Sequence, residues 1–288
     1  MITIAVYSNK GGTSKTSSTL NIAGVLAKEY QSKVLVIDAD QQANLTQDFL
    51  RSKIDSKGSQ DFLNYETTLE DLFYYPEKIN DSIQPALFSL VEGTAPKKRG
   101  IDIIPVRPIS IHPEVSLKAI NKGLEDGYIK RGQIRDALSH IKRTRQHLYD
   151  YDFCLIDFAP ANDELTREML SASDYILVPT TLDNGSVNGI GGLMEIFGEV
   201  RKERNPELKI LGIYPAVCNK QTSYDIQMTE GLKSSLGDIY LDCPIRYSTD
   251  VKWSTDFGVP LAFNRKSAPA TEDYRRLVKE LLKRMGGN

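Results

Sequence analysis

The sequence predicts an α/β fold, a mostly parallel, twisted sheet of about seven or eight strands with helices on both faces. Three observations carry that expectation. An apolar, β-prone run (Ile2, Ile4, Val6) passes through the loop YSNKGGTSKT, residues 7–16, into a stretch patterned as helix from Ser17 through Tyr30. Two later runs, Lys33–Ile37 (KVLVI) and Phe153–Ile156 (FCLI), are almost wholly apolar, as strands covered on both faces are. Both end in aspartate, Asp38 and Asp157, on the edge where parallel sheets bind ligands. No repeat, linker or composition shift divides the 288 residues, so one domain spanning 1–288 is expected, with an enlarged helical segment around 50–150.

Strand, glycine loop and helix in that order let backbone N–H groups cradle phosphates at a helix N-terminus. The general pattern G-x-x-x-x-G-K-[ST] is not met, because Asn9 and Ser14 stand at its two glycine positions. The chemistry survives: Lys15 is placed to reach β and γ phosphates, Thr16 offers a hydroxyl to Mg²⁺, and Gly11 and Gly12 permit close backbone approach. Lys10 to Ser17, with Thr13 and Ser14 between, is therefore the candidate nucleotide cradle. Lys10, five residues before Lys15, has no counterpart in an ordinary phosphate loop. A lysine, two glycines and then K-T resemble the deviant Walker A motif of the ParA/MinD family of ATPases, on a P-loop NTPase-like fold. The resemblance implies that Lys10 crosses a dimer interface to the phosphates of the partner's ATP, and hence a sandwich homodimer assembled by ATP.

The second strand runs into Asp38-Ala39-Asp40-Gln41-Gln42-Ala43-Asn44-Leu45-Thr46, which resembles the family segment D-x-D-P-Q-G-N-x-T with Gln41 for proline and Ala43 for glycine. By that likeness Asp40 positions the attacking water and Asp38 supports Mg²⁺; a pair of turn or helix-capping aspartates is the lesser alternative beside such a loop. From Arg51 to Gly100 short helices on Leu69, Leu72, Phe73, Ile79 and Ile83 are expected, broken by Pro76 and Pro85, with 94–100 a solvated loop. Ile101–Ile104 reads as a strand closed by Pro105. Leu117–Leu148 reads as mostly helical, with Lys130, Arg131, Arg135, Lys142, Arg143 and Arg145 on a face that is either solvated or open to DNA or a partner.

Tyr151 to Pro160 (YDFCLIDFAP) is a Walker B pattern, in which Asp157 holds Mg²⁺ through its water shell. A helix follows from near Asp163, then a strand at Asp174–Thr180 and an amphipathic helix over Ser186–Arg204 whose apolar stripe is core. A further strand begins at Leu208 and runs toward Asn219, the residue that the family resemblance places against adenine; a polar strand end is the alternative. Leu241–Arg246 reads as the last strand, and the loop to Pro260 and Leu261 corresponds to the family's second adenine-contacting segment. Thr271–Met285 reads as a helix with Thr271 as N-cap, carrying Arg275, Arg276 and Lys279 opposite its apolar face. That basic face is solvated, a DNA surface or a membrane surface. Arg246 and Lys252 sit where some ParA relatives contact DNA.

A net charge of −2 excludes a global basic field, so DNA binding must come from a local patch. Three scattered cysteines in apolar runs fit reduced thiols, and neither a signal region nor a membrane-length apolar stretch is present, so a cytoplasmic location without stable membrane association is expected. The likeness to ParA covers most of the chain. It implies an Mg²⁺-dependent ATPase of DNA segregation that coats nonspecific DNA on the nucleoid and is stimulated by a ParB-like centromere-binding partner. Because the chain starts at the first strand, the N-terminal helix-turn-helix of larger ParA proteins is expected to be missing. Rival readings are a MinD-like membrane-cycling ATPase, against which Gln42, Asn44 and Thr46 and the short C-terminal tail argue, and a tyrosine kinase of capsule type, whose tyrosine cluster is missing. The nitrogenase-reductase branch lacks its cysteines. A nucleotide-gated module with little turnover is kept open by Ser14, Gln41 and Ala43.

Overall fold

A computed structural model of the chain describes residues 1–50, 66–85, 100–108, 113–143, 150–219 and 223–286. Its strands are β1 (Ile2–Val6), β2 (Lys33–Ala39), β3 (Gln84–Pro85), β4 (Gly100–Ile104), β5 (Phe153–Phe158), β6 (Tyr175–Thr180) and β7 (Lys209–Pro215). They form one sheet in the order β3-β4-β2-β5-β1-β6-β7, parallel except for the edge pair β3·β4. The helices are α1 (Lys15–Glu29), α2 (Asn44–Leu50), α3 (Leu69–Leu72), α4 (Ile79–Ser82), α5 (Leu117–Glu125), α6 (Gln133–Arg143), α7 (Glu164–Ser171), α8 (Asn184–Glu203), α9 (Ser223–Leu236), α10 (Thr249–Phe257), α11 (Leu261–Asn264) and α12 (Pro269–Arg284).

Side chains alternate across a strand, so each central strand feeds two cores. Val34, Val36, Phe153 and Leu155 pack with Leu20, Leu277 and Val278 of α1 and α12. Leu35, Ile37, Cys154 and Ile156 pack with Leu138, Met169 and Leu193 of α6, α7 and α8. The sheet is thus covered on both faces, which is why its strands read as unbroken apolar runs. In mid-α1, a Cβ on Gly24 would lie 2.2 Å from the Pro260 Cβ, so only glycine admits this close approach.

Several local expectations are corrected. Leu117–Leu148 is mostly helical in its described part, as expected, but in two pieces: Gly127 and Gly132, at φ 76° and 88°, turn the chain between α5 and α6. The buried Glu168 of α7 then caps α6, accepting from the N–H groups of Gly132 at 2.8 Å and Ile134 at 3.4 Å. Leu241–Arg246 forms no strand; Ile213↔Tyr240 and Cys218↔Arg246 are isolated bridges, and Pro244 supplies no ladder donor between them. The last helix starts at Pro269, a residue preset for a first turn, and the Thr271 hydroxyl donates to the Arg265 carbonyl at 2.7 Å instead of capping. The expected loop at 94–99, the helical continuation at 144–148 and the side chains of Lys142, Arg143 and Arg145 lie outside the described residues. Among the described residues no helix is long and apolar enough to cross a membrane.

Candidate nucleotide-binding site

The site gathers where β1, β2 and β5 end side by side. Their register sets Val6 against Asp157 and Asp157 against Asp38. The loop after β1 turns through Gly12 at φ 74° and Ser14 at φ 68°, so Ser14 holds the left-handed conformation a glycine would take for less. Lys15 opens α1 and is buried; its ammonium donates to the Lys10 carbonyl at 3.0 Å, as does the Thr13 hydroxyl at 3.4 Å. Burial pushes the Lys15 pKa down, opposed by the charges of Asp157 and Asp40. Gly11 and Thr16 to Ser17 complete the loop at the helix N-terminus, as the sequence indicated.

Thr16 donates its hydroxyl to the Asp157 carboxylate at 2.7 Å, and Thr19 to the other oxygen at 3.3 Å. Asp38 accepts from the N–H groups of Asp40 at 3.1 Å and Thr46 at 2.7 Å, and from the Thr46 hydroxyl at 2.8 Å. Neither carboxylate has solvent exposure. Burial, then the charge of Asp38, pushes Asp157 up to about 8; burial pushes Asp38 up to about 7 against the bonds from Thr46. Two desolvated acids and a hydroxyl beside a phosphate cradle are a donor set for a divalent cation. Among the described residues no three His, Cys, Asp or Glu side chains form a metal cage. The oxygen donors of Asp157, Asp38 and Thr16 fit Mg²⁺, which is held by few protein ligands together with phosphate oxygens and water. Asp40 is half-buried at the mouth, where its carboxylate accepts from the Gln42 N–H at 2.9 Å. Ala43 follows at φ 55°, a second left-handed residue standing where glycine would be unstrained.

Lys10 turns toward the segment after β6. Its ammonium donates to Asp183 at 2.6 and 2.5 Å and to the Thr181 hydroxyl at 3.0 Å. Sequence reasoning missed both partners, and their one signal is position: they follow β6 on the same sheet edge as the phosphate loop.

Beside Ser14 and Ser17 opens a cavity of about 250 Å³ that includes Val217, Tyr247, Ser248 and Lys252. Asn219 does not line it; that residue is exposed, with its N–H donating to Asp225 at 3.1 Å. Val217, exposed and β-branched at φ 58°, is a strained residue at the cavity wall, as is Ser14.

The candidate DNA residues divide. Arg246 and Arg276 both donate to Asp273, at 2.6 and 2.7 Å, and Arg275 donates to Glu29 at 2.6 Å. Lys252 and Lys279 are exposed and have no ion pair among the described residues. On the middle basic face Arg131 pairs with Glu164 at 3.0 Å, and Arg135 donates to the carbonyls of Ser171 and Arg204.

Comparison with known proteins shows the family and the fold. The family profile described as an AAA domain matches residues 1–210. A ParA family protein of Chlamydia pneumoniae is 32% identical, with 98% of each chain covered. The chromosome-partitioning ATPase Soj of Thermus thermophilus is 24% identical over 98% of this chain and 96% of its own. Among solved structures, the ATP complex of Cyanothece McdA(D38A) superposes with a TM-score of 0.74 at 20% identity, covering 100% of this chain and 97% of the other.

Proposed function

The chain belongs to the ParA family of partition ATPases, and from that premise we propose that it pairs on ATP, binds DNA nonspecifically and hydrolyses the nucleotide to leave it. The observation that carries the reading is the Thr16–Asp157 hydrogen bond of 2.7 Å beside buried Lys15, with Lys10 on the same loop. Lys15 and the loop N–H groups neutralise and orient the β and γ phosphates. Thr16 and Asp157, with Asp38 behind them, would hold Mg²⁺, which would supply charge neutralisation in the reaction. Asp40 orients a water against the γ-phosphorus; the bond to the β–γ bridging oxygen breaks, yielding ADP and phosphate. Positioning and electrostatics are most of what this reaction asks of a protein. Lys10 reaches the partner's phosphates in the pair, and the nucleoside occupies the cavity beside Val217 and Tyr247.

DNA contact is carried by Lys252 and Lys279 with the half-exposed arginines Arg246, Arg275 and Arg276, on a protein of nucleoid-associated, cytoplasmic habit. A ParB-like centromere-binding partner stimulates turnover. An electrophoretic shift on random duplex DNA tests the proposal: retardation requires ATP and Mg²⁺, is lost in Lys10→Ala and weakens steeply with salt as counterions are released. Retardation without nucleotide, or insensitive to salt, overturns it. The left-handed backbone at Ser14 and Ala43 favours one second reading, a nucleotide-gated DNA-binding module with little turnover. Phosphate release that stays at background with DNA and the cognate partner present would select that reading.

A further inference from the structure

The contacts of Lys10 within its own chain bear on how the pair is controlled. We propose that Asp183 is a positioning residue for Lys10, holding the lysine inside its own protomer until nucleotide binds and so setting the threshold for pairing. The inference rests on the reading above that Lys10 crosses to the partner.

The ammonium is gripped on three sides, by both Asp183 oxygens at 2.6 and 2.5 Å and by Thr181 at 3.0 Å. Thr181 also donates to Asp183 at 2.7 Å, which fixes the carboxylate's orientation. The seat is shaped for this contact. A Cβ on Gly185 would stand 3.4 Å from the Lys10 ammonium and 3.2 Å from the Asp183 carboxylate. One step earlier in the loop, the Asn9 amide lies so close to α8 that a Cβ on Gly192 would meet it at 2.6 Å. The front half of the phosphate loop is thus docked on the start of α8.

Residue 10 is tied at its backbone as well, because its carbonyl accepts from Lys15 at 3.0 Å and from Thr13 at 3.4 Å. Phosphates entering the loop draw the Lys15 ammonium to themselves and away from that carbonyl. One of the ties on residue 10 is then gone, and its side chain is left on Asp183 alone with Thr181. Nucleotide binding and release of the crossing lysine are coupled through a single residue.

Magnitude decides whether this is a latch or a lock. The ion pair is 32% and 43% exposed at its two side chains, so it is screened and shifts an equilibrium by at most about fivefold. Incoming nucleotide can overcome that. Pairing frees two lysines, one per protomer, and the factor enters the dimer dissociation constant twice, about 25-fold in all.

Light scattering with Mg²⁺ and a non-hydrolysable ATP analogue, across protein concentration, tests the proposal on the full chain. Asp183→Asn pairs at a concentration roughly 5- to 25-fold below the unsubstituted protein. Asp183→Glu, which keeps the charge, returns the midpoint most of the way, and Thr181→Val shifts it in the same direction as Asp183→Asn but less. Lys10→Ala and the double variant Lys10→Ala/Asp183→Asn do not pair, so the gain requires the lysine. Analogue affinity of dilute single protomers, read by fluorescence, is the same for Asp183→Asn as for the unsubstituted protein, which separates a latch from a damaged site. If Asp183→Asn and Thr181→Val pair no more readily while Lys10→Ala abolishes pairing, the latch is wrong and the crossing lysine stands. If Lys10→Ala pairs normally, the crossing lysine itself is wrong and the latch falls with it.

Discussion

Asp157 and Asp273 are both carboxylates without solvent exposure, and they have opposite electrostatic lives. Asp157 faces two threonine hydroxyls and the acid Asp38, and burial lifts it to about 8. Asp273 pays the same kind of desolvation, yet the hydrogen bonds from Arg246, with Arg276 beside it, hold its carboxyl below the usual range. One acid is neutralised by its own chain. The other is left to be neutralised by something that arrives. A buried carboxylate already paired with arginine is architecture, whereas one packed against another acid beside a phosphate cradle is a place for a cation.

The contrast breaks hardest at Lys15, a buried cation whose charge lowers the Asp157 pKa. Lys15→Ala lowers nucleotide affinity by roughly 100-fold or more in equilibrium binding, since a desolvated charge-assisted contact is lost. Next in size is the effect of removing each acid. Asp273→Ala strands two arginines and lowers unfolding free energy in urea by about 3 kcal/mol, whereas Asp157→Asn costs less than about 1 kcal/mol without nucleotide. Equal losses in the two variants would erase the distinction.

Titration sharpens it further. Asp157 and Asp38 have folded pKa values, about 8 and about 7, above their ordinary 3.8, so the folded chain binds more protons than the unfolded one between those limits. Stability is then greatest at the acid end of the window and is lost as pH rises through the folded values. Thermal melts of the nucleotide-free protein fall between pH 6 and 9, and Mg²⁺ with nucleotide flattens that slope. The smallest effect is at Ala43: Ala43→Gly removes left-handed strain and raises stability by about 0.5–1 kcal/mol, read as the urea midpoint.

Most of the fold was legible because both faces of the sheet are covered, which writes β2 and β5 as apolar runs with an aspartate at the ligand-binding end. The cradle was legible for a similar reason, since Lys10 to Thr16 lies in one short stretch. What was not legible depends on contacts distant in sequence. Lys10 and Asp183 are 173 residues apart, and nothing local to either announces the other. Asn219 came from the family resemblance, whereas the left-handed Val217 at the cavity wall had no signal, because backbone strain has no signature in composition. The mostly helical stretch expected from Leu117 divides into two helices at Gly127 and Gly132, whose positive φ interrupts an apolar period that continues on either side. Arg246, Arg275 and Arg276 looked like a free basic surface, and the acids that engage them, Asp273 and Glu29, lie on other turns or other elements.

The tight contact of Gly24 with Pro260 ties the two ends of the nucleotide site together. Asn21, one turn before Gly24, also accepts from the Leu261 N–H at 2.8 Å and the Ser254 hydroxyl at 3.1 Å. On the function proposed above, the helix that meets the phosphates and the segment that walls the nucleoside cavity are therefore bolted into one jaw, with its gape set before any nucleotide arrives. On that reading, whether the jaw holds a triphosphate or a diphosphate is announced elsewhere, by the short spans after β2 and β6 that carry Asp40 and Asp183.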